Sequence, residues 1–454
     1  MENSSREGEE IKMDLVQGGR LKSFSNFVAL NLFLLALVGI KIPSAFRNFW
    51  AEDGGFYEQA LVDTFPEEFF SSGGGYLIFI SRIISRIVTL GPIEHAPFVN
   101  AVVVNVFLSL FIQRVYVNLG IFVKSRIYKA IISISLFLLP INNFDVIASG
   151  GALHFQLLFV SLILALSAKE RKAIYKLDTF IIAVAILSDP FTLITLMPLF
   201  FQRKNELAKI WRKVPGSLTF IIASVITQIA MVINFQLQGN RSIGTSPSIL
   251  KTLYLFLDRV IGSTFVPHWG NISSSSLNEG GITRYLVMRA VIGLVCTSII
   301  LIFISLHLQK RLPKGEIHTK SSISWLVFLS SFYWLTVGLI FNPEPRYAIF
   351  PGLCFLLTVL ILIDHRSCQG KGQRIVCVPT CIVLSFSILI WILSATPNER
   401  RILGPEWGSQ ISIGKSACAQ SGRQSVWIKT LPTDDGWKVE IPCQSLAMQL
   451  NISR

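Results

Sequence analysis

Charged residues are scarce in this chain. Of its 454 residues only 15% are charged, whereas 51% are hydrophobic and the mean hydropathy is +0.56. A soluble domain of this length would carry about 25% charged residues, so the composition excludes an ordinary soluble protein. Apolar runs of roughly 17 to 25 residues recur along the sequence, and each is long enough to cross a ~30 Å hydrocarbon layer as a helix. Because these runs are continuous rather than alternating, they predict membrane helices.

Several motifs are also missing from the sequence. It has no Walker loop, no dinucleotide-binding glycine pattern and no HExxH pair, so nucleotide-driven and zinc-protease mechanisms lack support. Five of the seven cysteines lie in or beside apolar runs, where they are expected to pack as small hydrophobes. No spacing of Cys and His requires a metal. The other two, Cys418 and Cys443, lie in the polar C-terminal tail and are a candidate disulfide if that tail is exported.

The net charge of +14 does not indicate nucleic-acid binding. The basic residues concentrate in short connections between apolar runs, and the positive-inside rule places such connections in the cytoplasm. These connections are residues 124–129, 169–176, 203–213, 310–320 and 365–374. The first 23 residues are expected on the same side. The opposite, extracytoplasmic side then receives residues 46–75, which are acidic, and the tail.

The predicted fold is an all-α polytopic membrane protein of about 10–12 transmembrane helices. Residues 1–23 form a cytoplasmic segment and residues 24–396 form the membrane domain. Residues 397–454 form a small extracytoplasmic tail, which is predicted to be β-rich because apolar and polar residues alternate in it. The alternating pairs are Ile411 and Ile413, Val426 and Ile428, and Val439 and Ile441.

Two segments do not fit a simple series of crossings. Residues 76–92 carry Arg82 and Arg86, and a full crossing there would move the next basic connection to the outside. We therefore expect an interfacial or re-entrant helix. Residues 177–201 lie between two basic connections, so they should enter and return on one side. Ser188-Asp189-Pro190 in the middle predicts a hairpin of two short helices, because proline ends a helix.

An acidic pair follows the first apolar run. Trp50-Ala51-Glu52-Asp53-Gly54-Gly55 opens the connection 46–75, which is predicted to be the first external loop. The rest of the chain offers few polar clusters, so Glu52 and Asp53 are the candidate catalytic carboxylates. The alternative is that they are solvated at the start of a loop, or cap a helix.

Other polar residues are predicted on the same face of the membrane. Arg82 and Arg86 lie one helical turn apart; they either clamp a lipid phosphate or extend to the headgroups. Arg346 follows a rigid turn and is suited to bind phosphate with two hydrogen bonds, or it pairs with Glu344. The substrate-binding candidates are His154, Asp189, Glu344 and Tyr347.

These features together resemble the GT-C class of integral-membrane glycosyltransferases. The resemblance rests on Trp-Ala-Glu-Asp-Gly in the first external loop, the amphipathic helix after it, the Ser-Asp-Pro hairpin and the late Arg-Tyr, and covers about residues 20–396. It implies that Asp53 or Glu52 is the catalytic base and that Arg346, Arg82 or Arg86 binds the donor phosphate. The tail departs from the class because it is much smaller than the exported domains of oligosaccharyl- or mannosyltransferases.

The resemblance also implies partners and a location. The donor would be a polyprenyl-phosphate-linked sugar and the acceptor a glycan or lipid, in a multi-pass protein of the bacterial inner membrane, within cell-envelope polysaccharide biosynthesis. A divalent metal is compatible with this chemistry, although no spacing demands one. Three alternatives remain: a transporter or flippase for lipid-linked saccharides, a polysaccharide polymerase, and a non-catalytic assembly protein. No internal repeat of the kind common in transporters is visible.

Overall fold

The chain folds as an all-α polytopic membrane protein with a small two-stranded sheet near its C-terminus. The computed structural model describes residues 25–71, 75–139, 146–171, 174–201, 216–237, 252–253, 255–262, 317–340, 345–367, 405–421, 423–432 and 436–448. Within these ranges five helical segments are long and apolar enough to cross a membrane. They are Ile93–Ile121, Leu153–Arg171, Ser217–Phe235, Ser321–Gly338 and Arg346–Asp364. The predicted total of 10–12 crossings extends into residues outside the described ranges.

The helices are numbered here in chain order. The first half of the chain contains α1 (Ser25–Lys41), α2 (Ala51–Val62), α3 (Glu67–Phe70), α4 (Phe79–Val88), α5 (Ala96–Asn118), α6 (Arg126–Leu138), α7 (Leu153–Arg171), α8 (Lys176–Ser188), α9 (Thr192–Thr195) and α10 (Met197–Phe200). The second half contains α11 (Ser217–Leu237), α12 (Ile317–Ile340), α13 (Ile349–Ser367), α14 (Trp407–Ser421), β1 (Ser425–Lys429), β2 (Lys438–Pro442) and α15 (Cys443–Met448).

The helix α7 forms the centre of the bundle. Sixteen of its residues are buried, from Leu153 to Ala168, and it packs against α4, α5, α8 and α13. A helix that is apolar on all sides has to be surrounded by other helices or by lipid. In the candidate span that begins at Leu153, 89% of the residues are buried by protein. Most of this helix therefore faces protein and not lipid.

Both irregular segments adopt short helices. In the segment 76–92, α4 has ten residues, which is about 15 Å of helix and too short to cross the hydrocarbon layer. In the segment 177–201, α8 ends at Ser188, directly before Asp189-Pro190, and only the four-residue helices α9 and α10 follow. The predicted break at Ser188-Asp189-Pro190 is therefore confirmed.

The tail differs in part from the prediction. The apolar pairs at Val426 and Ile428 and at Val439 and Ile441 do lie on antiparallel strands, with Val426 paired to Ile441. The prediction of a strand at Ile411 and Ile413 is wrong, because this stretch is the helix α14. Ile411 is fully buried whereas Ile413 is 70% exposed, as expected for two residues about 200° apart around a helix.

Candidate active site

Asp53 is held in place at the N-terminus of α2. Trp50 is the N-cap residue, so Glu52 and Asp53 occupy the first helical turn and neither caps the helix. The first-turn amides favour negative charge there. Asp53 is buried, and its Oδ1 atom accepts hydrogen bonds from the Ser149 hydroxyl at 3.1 Å and the Gly151 amide at 2.7 Å. The carboxylate therefore has a fixed position and orientation.

A tight loop before α7 supplies both of these donors. Ala148 has a φ angle of 58°, an uncommon left-handed conformation for a residue with a side chain. The Ser81 hydroxyl of α4 donates to the Gly150 carbonyl at 2.8 Å and fixes the next peptide. At Gly151 an added Cβ would lie 3.2 Å from the Asp53 Oδ1 atom. A side chain at position 151 would therefore crowd the carboxylate.

Glu52 pairs with an arginine from the second half of the chain. The Arg346 Nη1 atom lies 2.7 Å from the Glu52 Oε1 atom, although the residues are 294 positions apart. Arg346 belongs to a short 3-10 turn, Pro345–Ala348, that leads into α13. Its guanidinium also lies 5.9 Å from the centre of the Phe155 ring on α7. The alternative partner from the sequence analysis, Glu344, lies outside the described residues.

The other two candidate arginines lie on α4 and contact the middle of α2, at Gln59 and Ala60. Arg82 is 1% exposed, donates to the Gln59 side chain and lies over the Phe56 ring at 4.8 Å. Its Nε and Nη2 atoms have no hydrogen-bond partner within the described part of the chain. Burial lowers the pKa of Arg82 to about 10. Arg82 therefore points into the protein and does not extend toward lipid headgroups.

Arg86 lies near Arg82 and is held by an ion pair and a hydrogen bond. Its Nε atom lies 3.3 Å from an oxygen of the fully buried Glu68, and its Nη1 atom donates to the Ala60 carbonyl at 2.8 Å. Burial raises the pKa of Glu68, and the charges of Arg86 and Arg82 oppose that rise. Because Phe56 touches both Arg82 and the Gly151 position, this group borders the Asp53 environment.

Two of the remaining candidates, His154 and Tyr347, contact Phe155 on α7. His154 is buried, and its ring lies 6.4 Å from that of Tyr76. Tyr347 packs edge-on against Phe155 at 5.2 Å. Asp189 is buried just after α8, and its Oδ1 atom accepts the Phe191 amide at 2.8 Å. The His154 ring packs on the Phe155 ring at 4.0 Å, and the Phe155 ring lies 5.9 Å from the Arg346 guanidinium.

The tail packs directly on the segment that carries the acidic pair. Leu431 forms an isolated parallel bridge with Trp50, and its amide donates to the Phe49 carbonyl at 3.0 Å. Trp407 is fully buried and its Nε1 atom donates to the Ile93 carbonyl at 2.6 Å. The tail and the start of α2 therefore lie on the same side of the molecule.

A disulfide closes the tail on itself. The structure joins Cys418 of α14 to Cys443, the first residue of α15, with a Cα–Cα distance of 5.6 Å. The bond encloses both strands of the sheet, one of which packs on α2.

Comparisons with known proteins leave the activity open. No protein-family model matches the chain, and no curated protein matches it. It is similar to a solved structure of an archaeal oligosaccharyltransferase AglB from Archaeoglobus fulgidus in complex with an inhibitory peptide and a dolichol-phosphate. The identity is 11% and the TM-score 0.44, and the match covers 85% of this chain. The chain spans 59% of that protein's length. A likeness this distant carries no argument about activity.

Sequence reasoning missed the groups that hold the carboxylates. Ser149 and Gly151 lie far from Asp53 in the sequence, and their only signal was the run Ser149-Gly150-Gly151 between two apolar segments. Tyr333 also went unnoticed, because a tyrosine within an apolar run is typical of packing. No group of three or more His, Cys, Asp or Glu side chains suited to hold a metal occurs within the described ranges.

Proposed function

We propose that this protein is a membrane glycosyltransferase. It transfers a sugar from a polyprenyl-phosphate-linked donor to a glycan or lipid acceptor at the extracytoplasmic face of the bacterial inner membrane. One observation carries the proposal: Asp53 is held in a fixed position, and the adjacent Glu52 is 2.7 Å from Arg346. A base and a phosphate-binding cation therefore lie side by side.

Asp53 is assigned as the base. In a single displacement, the acceptor oxygen attacks the anomeric carbon of the donor while the bond from that carbon to the phosphate oxygen breaks. Asp53 accepts the proton that the acceptor hydroxyl loses. The electron pair of the broken bond leaves with polyprenyl phosphate. The hydrogen bonds from Ser149 and Gly151 support this role because they fix the carboxylate before the acceptor arrives.

Glu52 and Arg346 are assigned to the leaving phosphate. A guanidinium matches the geometry of phosphate oxygens and stabilises the charge that develops on them. Glu52 positions Arg346 in the absence of donor, and it is partly exposed, as is Arg346. Arg82 and Arg86 supply further positive charge nearby, and Arg82 has two nitrogen atoms that make no hydrogen bond to a described residue.

The charge pattern supports the extracytoplasmic side. Residues 46–75 carry six carboxylates, Glu52, Asp53, Glu58, Asp63, Glu67 and Glu68, against a single Arg47. The connections at 124–129, 169–176 and 203–213 are basic instead. Because basic connections stay in the cytoplasm, the acidic segment belongs outside. The tail packs on that segment, so it belongs outside too.

The test compares Asp53→Asn and Glu52→Gln with Glu67→Gln, an exposed carboxylate of the same segment. The purified full-length protein is placed in liposomes with lipid-linked sugars extracted from its native membranes, and the release of polyprenyl phosphate is measured. Loss of a general base typically costs about 10²–10⁴-fold in rate, so we expect that loss for Asp53→Asn with unchanged binding of polyprenyl phosphate.

The other two variants separate the roles. Glu52→Gln should mainly raise KM for the lipid donor, because it loosens Arg346, and Glu67→Gln should behave like the wild type. Wild-type release by Asp53→Asn, with the protein correctly inserted, would refute the catalytic assignment.

A further inference from the structure

Two buried polar groups near Arg346 lack partners in the described structure. Both ring nitrogens of His154 are buried without a hydrogen bond to any described residue, although the Gly151 backbone approaches the ring. The Tyr333 hydroxyl on α12 also makes no hydrogen bond to a described residue, and the residue is only 1% exposed. Leaving such a group unsatisfied costs about 1–3 kcal/mol, so two of them in one region need an explanation.

These two side chains belong to one cluster. The Tyr333 ring packs edge-on against Phe191 at 5.3 Å, and the Phe191 amide donates to Asp189. The Tyr333 ring also packs against Phe350 at 5.1 Å, three residues after Tyr347. The centre of the Tyr76 ring lies 6.4 Å from the centre of the His154 ring. We call these five residues, Tyr76, His154, Asp189, Tyr333 and Tyr347, the inner polar cluster. They come from separate segments of the chain, so the fold, and not local sequence, assembles the cluster.

The chemistry of the cluster matches a sugar ring. Imidazole nitrogens and a phenol hydroxyl both donate to and accept from neutral hydroxyl groups. Aromatic side chains offer apolar faces to the C–H side of a pyranose or furanose. The Asp189 side chain accepts hydrogen bonds from hydroxyl groups. A polyprenyl chain is a poor match, because it would leave the His154 nitrogens and the Tyr333 hydroxyl without hydrogen bonds.

We infer that the inner polar cluster binds the sugar of the lipid-linked donor, with His154 and Tyr333 hydrogen-bonded to its hydroxyl groups. This inference rests on the proposed function. Arg346 adjoins both groups: it is bonded to Glu52, and its guanidinium lies 5.9 Å from the ring of Phe155, which packs on the His154 ring at 4.0 Å. A phosphate held by Arg346 is therefore close to both the acidic pair and the inner polar cluster.

The main test is Tyr333→Phe, with Tyr57→Phe as the matched control. Tyr57 is also 1% exposed, and its hydroxyl likewise has no hydrogen-bond partner among the described residues, but its ring packs against Phe49 and Trp407 under the tail. Removing an unsatisfied hydroxyl should not destabilise either variant. A purely structural role thus predicts that both variants behave like the wild type.

The probes are synthetic polyprenyl-phosphate glucose, mannose, galactose and arabinose, with polyprenyl phosphate alone as the reference. The full-length protein in liposomes should bind at least one of the four more tightly than the reference. Tyr333→Phe should weaken that binding about threefold to tenfold, the usual effect of one neutral hydrogen bond. It should leave the affinity for polyprenyl phosphate alone unchanged, and Tyr57→Phe should change neither. Equal behaviour of the two variants would overturn the inference, as would a wild type that prefers none of the four sugars.

A second measurement separates this inference from the proposed function. Thermal unfolding of the full-length protein is followed with the methyl glycosides of the same four sugars, which carry no phosphate or lipid. Stabilisation of the wild type, reduced in His154→Gln and Tyr333→Phe, supports the sugar site even if polyprenyl phosphate does not bind and the donor assignment fails. If polyprenyl phosphate binds in an Arg346-dependent way but no glycoside stabilises the protein, the sugar site is wrong while the donor assignment stands.

Discussion

Gly54 and Gly55 are neighbours on α2, but alanine should act on them in opposite directions. An added Cβ at Gly54 would lie 2.7 Å from the Thr430 Cγ2 atom and 2.9 Å from the Val439 Cγ1 atom. Carbon atoms in contact normally sit about 3.5–4.0 Å apart, so the tail has to move. At Gly55 nothing lies within 4 Å of the added atom. The two positions share a helix and differ in whether the tail covers them.

The expected energies follow from this difference. Overpacking of a filled interior typically costs about 1–3 kcal/mol, so Gly54→Ala should destabilise the protein by that amount. Replacing glycine by alanine inside a helix favours the folded state by roughly 0.5–1 kcal/mol, so Gly55→Ala should stabilise it. The difference between the two variants should therefore be about 1.5–4 kcal/mol.

The assay is thermal unfolding of the purified full-length protein, combined with amide hydrogen exchange at β1 and β2. Gly54→Ala should lower the midpoint temperature of unfolding and speed amide hydrogen exchange in both strands. In a Thr430→Ser, Val439→Ala background the two clashing methyl groups are gone, so adding Gly54→Ala should cost nothing more. Unfolding and exchange at wild-type rates in Gly54→Ala alone, or an equal loss of stability in that background, would refute the contact between α2 and the tail.

Three further changes test the ion pair, the disulfide and the tail interface. Glu52→Gln and Arg346→Gln, alone and combined in a double-mutant cycle, should show a coupling energy of about 1 kcal/mol in unfolding; additive effects would contradict the pair. Cys418→Ser should lower the stability of the tail by about 3 kcal/mol in a denaturant titration, given the loop that the bond closes, and a reductant should reproduce that loss in the wild type. Trp407→Ala should cost about 3–5 kcal/mol because the side chain is fully buried, whereas Trp427→Ala, at a residue 55% exposed, should stay within about 0.5 kcal/mol in the same thermal scan.

The parts of the fold that were predictable depend on local sequence. Continuous apolar runs predicted membrane helices, and Asp189-Pro190 predicted the end of α8, because proline acts on the preceding turn wherever it occurs. The strands at Val426 and Val439 were predictable from alternation. The same signal misled at Ile411, since two isoleucines two positions apart also occur on a helix when one of them faces outward.

The site was predictable only in its charged residues. Glu52, Asp53 and Arg346 were identified because charges are rare in this chain, but their partners were not. Ser149 reaches Asp53 across 96 positions, and this contact depends on how α2, α4 and α7 pack. Tyr333 resembles a core residue in the sequence, and only its unbonded hydroxyl within the described structure sets it apart. Contacts of this kind are set by tertiary packing.

The central claim is that the acidic pair and the tail face the extracytoplasmic compartment, and cysteine labelling in intact cells tests it most directly. The background replaces Cys296, Cys368, Cys377 and Cys381 with serine, and single cysteines are introduced at Glu67, at Trp427 and, in the basic connection, at Lys124. All three positions are exposed. A membrane-impermeant maleimide should label the first two in intact cells and the third only after permeabilisation. Labelling of position 124 in intact cells, with positions 67 and 427 protected, would contradict the account.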